Sequence, residues 1–297
     1  MNHPVVEENK SSAAHSHAGE KPKKKKAAIY IVPNLITCMS LFFGLLAIKY
    51  SIDGRMTGEG VFFLYAAYSI LAAAVCDTLD GSVARLTHSQ SSFGVQLDSL
   101  CDVVSFGIVP AVVIYNFALY DLKRIGFCVA FIYVACGALR LARFNIQSSL
   151  GRANGHFTGI PIPMAAAPLA VCIMAHEELR TWTSATYSPW EMSFAAALTN
   201  PQVVSISLLI IMFLLALGMI STFEYRSHKS FRLPSKRPFR FFAGILIVMA
   251  LFLNLQFVVS LAILLLIYCL HGPVLWLFTR KDRAEEEEEM FETESQD

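Results

Sequence analysis

The sequence predicts an all-α, polytopic membrane protein, and three observations carry the prediction. Hydrophobic residues make up 55% of the 297 positions against 16% charged, and mean hydropathy is +0.51, too apolar for an ordinary soluble domain. Apolar runs close to the roughly 20 residues of a spanning helix recur along the chain. The gaps between those runs carry basic residues mainly on alternate turns, as expected when basic loops stay inside.

Residues 1–26 are polar, hold His3, His15 and His17, and end in Lys21 and Lys23 to Lys26. This composition predicts a disordered tail whose lysine run meets anionic lipid headgroups. Scattered histidines in such a tail do not make a metal site. No small-residue cleavage pattern follows, so the next apolar run reads as a span and not as a signal peptide. Spans are expected at about 35–52, 61–79, 98–117, 125–142, 161–177, 202–223, 239–255 and 257–278, eight in all. Between the seventh and eighth, only Asn254 to Gln256 separates the runs, which read as a tight hairpin in preference to one long irregular element, because one helix of that length would overshoot the bilayer. The loop at 178–201 carries Trp182, Tyr187 and Trp190, an interfacial aromatic belt. From Ala284 the chain is acidic and reads as a solvated tail. There is no internal repeat. Seven cysteines without a C-x-x-C pair read as small core residues.

Eight spans put both termini on one side. On that side fall 19 of the 24 basic residues, including Arg85, Arg140, Arg143 and the group from Arg226 to Arg240. The bias predicts cytoplasmic termini. Lys123 and Arg124 run against it.

Chemistry concentrates between Asp77 and Asp102. Asp77 and Asp80 are three apart, Asp98 and Asp102 four apart, so helical backbone places each pair on one face. An aspartate at the bilayer centre costs about 2.5–3.5 kcal/mol, and like charges about 4 Å apart repel by roughly 4 kcal/mol at an effective dielectric near 20. Four such groups must take up protons or bind cations, and oxygen donors favour a hard divalent ion. Arg85 offers a planar fork for phosphate. Helix capping accounts for one or two of the aspartates but not for four on two faces.

The whole stretch fits D-x2-D-G-x2-A-R-x8-G-x3-D-x3-D and so resembles the CDP-alcohol phosphotransferase family. Three further segments resemble its phosphatidylserine synthase branch: V-V-S-F-G after Asp102, Gly137 to Asn145, and His156 to Pro163. The resemblance runs from about Pro33 to Pro163. It implies a six-helix catalytic core within residues 27–223, two additional spans in 224–278 and a tail at 279–297. It further implies a homodimer, a bacterial inner membrane, an active site facing the cytoplasm, and no nucleic-acid partner. CDP-diacylglycerol and L-serine are the implied substrates. Asp77, Asp80, Asp98 and Asp102 are the implied ligands of two divalent ions, Mg2+ or Mn2+, with Asp102 also the general base. Gly81, Ala84 and Gly94 leave room for the nucleotide, Arg85 and Ser91 reach phosphate or ribose, and Asn34 and Thr37 stand on the cytidine side, the other reading of that segment being that Pro33 and a polar cap start the first helix. Arg140 and Arg143, three apart, hold the serine carboxylate or simply follow the basic bias of the inner side. Asn145 orients serine or caps the helix end. Direct in-line attack by the acceptor hydroxyl needs no protein nucleophile.

Two other readings fit part of this pattern. Another acceptor, such as glycerol 3-phosphate, inositol phosphate or choline, would use the same aspartates. A cation transporter would use them too, but leaves Gly81, Ala84 and Arg85 without a role.

Overall fold

The computed structural model describes residues 25–87, 91–149, 156–182, 187–221 and 224–226. The expected seventh and eighth spans, the acidic tail and the basic tail as far as Lys24 lie outside the described residues, whereas Lys25 and Lys26, expected in that tail, begin the first helix. Eight α-helices make up the rest, joined by two short π segments and one 3-10 turn. The helices are α1 (Lys25–Thr57), α2 (Gly60–Leu86), α3 (Ser92–Asp102), α4 (Val109–Ile114), α5 (Lys123–Ser149), α6 (Ile162–Arg180), α7 (Pro189–Leu198) and α8 (Pro201–Ile220). The strands β1 (His156–Thr158) and β2 (Glu224–Arg226) pair antiparallel, joining the segment before α6 to the one after α8.

Five apolar helical stretches are long enough to cross a bilayer: Ile31–Thr57, Gly60–Leu86, Ser92–Gln147, Ile162–Arg180 and Pro201–Ile220. The protein is thus an all-α integral membrane protein. The 56-residue stretch is two limbs rather than one span. A 3-10 turn at Tyr120–Leu122 and the positive φ of 49° at Lys123 reverse the chain. Tyr133 of the second limb then donates from its hydroxyl to the Phe106 carbonyl of the first at 3.1 Å.

Why the first limb is irregular follows from Pro110, which has no N–H to offer the carbonyl four residues back. The backbone ahead of it widens into a π segment, Val103–Ile108, where the amide of Val109 bonds the carbonyl of Val104. A second π segment, Tyr115–Leu119, precedes the turn. Ser205 of α8 donates to its Ala118 carbonyl at 2.7 Å. Backbone irregularity inside the bilayer is therefore met by hydroxyls from neighbouring helices.

Large side chains such as Phe106, Ile114, Tyr133, Leu169, Ile173 and Met212 are fully buried where the helices meet. Others, including Leu45, Val75, Phe131 and Ile206, stand exposed on the outer surface, where lipid is their natural solvent.

The first helix departs from expectation. Pro33 does not start it; α1 begins eight residues earlier and Pro33 is buried within it. Thr37 caps nothing, and its hydroxyl donates back to the Pro33 carbonyl at 3.1 Å. Gly159, with a φ of +78°, turns the chain into α6 against the end of α8, where any Cβ would overlap the Met219 carbonyl. On the other face of the bundle, Glu191 of α7 accepts from the Ser188 hydroxyl at 2.6 Å and its amide at 2.7 Å. Those bonds hold its carboxyl below the usual carboxylate range.

Candidate metal and substrate site

The site forms where the N-terminal half of α1, the end of α2 and the whole of α3 converge. Helix α2 runs without a break through Asp77, Asp80, Gly81 and Arg85, so the spacing of three does place the first two on one side. Helix α3 is capped by Ser91, whose side chain accepts from the Gly94 amide at 2.9 Å and fixes the helix that carries Asp98 and Asp102.

Asp77, Asp98 and Asp102 each turn one carboxylate oxygen inward, all within 4.8 Å of one another. Asp80 is outside this trio but adjoins it. It is buried to 5% exposure, its Oδ2 has no hydrogen-bond partner, and Thr37 interacts with its side chain. Among the described residues no lysine or arginine forms an ion pair with any of the four. A divalent cation fits this donor set: converging oxygens, negative charge left uncompensated, and one buried oxygen still lacking a partner.

Beside the aspartates lies a cavity of about 290 Å3. Pro33, Asn34 and Thr37 form one wall, Asp80, Gly81, Ala84 and Arg85 another, and Ser91, Gly94 and Asp98 close it. Every position expected on the nucleotide side by sequence thus borders one space. Arg85 is exposed and its guanidinium is held loosely, donating to Ser82 Oγ at 3.3 Å. At Gly94 a Cβ would stand 3.1 Å from both Asn34 Oδ1 and Ser91 Oγ, so a larger residue crowds that wall.

The three acceptor-side candidates separate. Arg140 is 8% exposed, its Nε has no partner, its guanidinium lies 5.5 Å from the Phe144 ring centroid, and the carboxylate that acts on it is Asp102. Arg143 points elsewhere: its Nη1 donates to the Ile220 carbonyl at the end of α8, 3.2 Å away. Asn145 donates to Ser99 Oγ at 2.9 Å, tying α5 to α3, and with α5 continuing to Ser149 it does not cap the helix.

A larger cavity, about 470 Å3, sits at the far end of the helices. Its charged groups are already paired, Arg55 with Asp121 and Glu177 with both His176 and Arg180. None of Asp77, Asp80, Asp98 and Asp102 lines it.

Residues 30–199 match the family described as CDP-alcohol phosphatidyltransferase. The chain is 31% identical over 253 residues to the CDP-diacylglycerol–serine O-phosphatidyltransferase of Helicobacter pylori, covering 84% of this chain and 92% of that one. It is 39% identical over 149 residues to the archaetidylserine synthase of Methanothermobacter thermautotrophicus, half of this chain and 59% of the relative. With the Bacillus subtilis CDP-diacylglycerol–serine O-phosphatidyltransferase it shares 36% identity over 140 residues, 47% of this chain and 73% of the other. Likeness therefore extends well past Pro163, where the motifs alone suggested that it fades.

Proposed function

The chain belongs to the CDP-alcohol phosphatidyltransferase family, and from that premise we propose that it transfers the phosphatidyl group of CDP-diacylglycerol to L-serine, releasing CMP. The observation that carries the choice of acceptor is Arg140, a buried guanidinium with an unpartnered nitrogen, on which the charge of Asp102 acts. A carboxylate-bearing acceptor fills that vacancy and sets its hydroxyl near the candidate base. The names of the relatives from three genera agree with this acceptor or one closely like it.

Asp77, Asp98 and Asp102, with Asp80 adjoining, would hold two divalent ions, Mg2+ or Mn2+. When bound, such ions neutralise the pyrophosphate and polarise the reacting phosphoryl group. Asp102 takes the proton of the serine hydroxyl as its oxygen attacks the phosphorus esterified to diacylglycerol. The bond from that phosphorus to the CMP oxygen breaks, and CMP leaves with the electron pair. Arg85 steadies the phosphates, Gly81 and Ala84 admit the nucleotide close to α2, and Asn34, Thr37 and Ser91 line its cytidine and ribose side.

Acyl chains stay in the bilayer while cytidine and serine enter from water. By the order of the spans in the sequence, the basic residues fall mostly on the side that carries the aspartates, which supports a cytoplasmic site and cytoplasmic termini in a bacterial inner membrane. A homodimer, a catalytic core over 27–223, two further spans in 224–278 and a tail at 279–297 complete the proposal.

Arg140→Gln and Gly94→Ala separate the halves of the site, with Arg143→Gln as a control. Arg140→Gln is expected to raise the KM for serine by about 10-fold or more, as loss of a charged hydrogen bond implies, while the KM for CDP-diacylglycerol holds. Arg143→Gln should act mainly on the melting temperature, since its observed bond secures α8. Gly94→Ala, which crowds Asn34 and Ser91, should raise the KM for CDP-diacylglycerol and spare that for serine. Initial rates of CMP release with one substrate varied at a time give the KM answers, and a thermal melt gives that for Arg143→Gln. The functional reading itself is tested by comparing acceptors in the same assay.

A further inference from the structure

We propose that Tyr133 is a positioning residue for the reaction, clamping the helix that carries the acceptor-binding arginine to the segment that follows the base. The inference rests on the roles given above to Asp102 and Arg140. Asp102 ends α3 and runs directly into the π segment Val103–Ile108. Pro110 lacks the N–H that would bond the Phe106 carbonyl in a regular helix. That carbonyl, on a residue with no exposure, instead accepts the Tyr133 hydroxyl at 3.1 Å. Tyr133 is itself fully buried.

Its place on α5 gives the bond a consequence. Tyr133 and Arg140 are seven residues apart, two helical turns, and so share a face. The single hydroxyl therefore ties the Arg140 face of α5 to the backbone four residues beyond Asp102. With the bond in place, the arginine that holds the acceptor and the carboxylate that takes its proton have a fixed register. Without it, the π segment is free to settle differently against α5 and the hydroxyl of the bound acceptor drifts from Asp102.

Tyr133→Phe keeps the ring and removes only the donor. Expected are a kcat lower by about tenfold, as a small misplacement of reacting groups implies, a serine KM raised severalfold, and an unchanged KM for CDP-diacylglycerol. The melting temperature should move little, because single hydrogen bonds between helices in a bilayer are weak. Pro110→Ala in the same chain restores a backbone N–H four residues after Phe106 and should recover part of the lost rate. Kinetics like those of the unsubstituted chain would overturn the clamp. So would a parallel rise in both KM values, which signals general loosening, or a Tyr133→Phe, Pro110→Ala chain no faster than Tyr133→Phe alone. Failure of the serine reading is seen separately, as no serine-dependent CMP release by the unsubstituted chain.

Discussion

Asp102→Asn is expected to lower serine-dependent CMP release by about 1,000-fold, within the range of a lost general base. The substitution keeps the size of the side chain and removes its ability to hold a proton. Two features make this position the most sensitive of the four. It is in the oxygen cluster with Asp77 and Asp98, and it is the carboxylate whose charge acts on Arg140, so the proposal gives it a part on both the donor and the acceptor side. Loss should fall on kcat, with a smaller change in the KM for CDP-diacylglycerol, because the nucleotide cavity is lined by other residues. Asp102→Glu retains a carboxylate one methylene longer and should recover a fraction of the rate. Steady-state CMP release by the two variants, at saturating donor and serine, checks the ordering.

Removal of divalent metal is the second large effect. With their oxygens within 4.8 Å, each pair among Asp77, Asp98 and Asp102 repels by about 3.5 kcal/mol at an effective dielectric near 20. A cation that relieves this repulsion binds tightly, and its loss leaves the pyrophosphate unneutralised. Chelation should abolish CMP release and added Mg2+ or Mn2+ should restore it. Asp77→Asn and Asp98→Asn should each lower the rate by about 100-fold at limiting metal, with partial recovery as metal is raised. Asp80→Asn should cost less, since Asp80 is outside the trio. Manganese binding followed by electron paramagnetic resonance reads the same sites without turnover. Binding unchanged in Asp77→Asn and Asp98→Asn would contradict the assignment.

Much of this site is legible in the sequence because helical geometry turns spacing into position. Asp77 and Asp80, then Asp98 and Asp102, are at intervals that a helix converts into faces, and both helices form. The cavity-lining residues Gly81, Ala84, Arg85 and Gly94 follow from the same motif, while Asn34, Thr37 and Ser91 are not fixed positions of it. Which three aspartates converge does not follow, because it depends on how α2 and α3 are rotated against each other. Arg140 and Arg143 look equivalent in sequence, and only the end of α8, some 80 positions later, separates them. Pro33 reads as a helix start, yet packing keeps it inside α1. The π segment has a visible cause in Pro110, but the tyrosine that meets its carbonyl lies 27 residues away, beyond any local pattern. The first six expected spans fall on apolar helices for the same reason the motif is legible, since length and apolarity are local properties, while the seventh and eighth lie outside the described residues.

The most direct test of the account is CMP release from CDP-diacylglycerol by the purified full-length chain in mixed micelles with Mg2+ or Mn2+, comparing L-serine with glycerol 3-phosphate, inositol phosphate and choline. The account predicts metal-dependent release with serine, lost on Asp102→Asn, and little or none with the other three. Release with another acceptor but not with serine would contradict the role given to Arg140, and metal passage across a bilayer without CMP from any acceptor would contradict the enzyme itself.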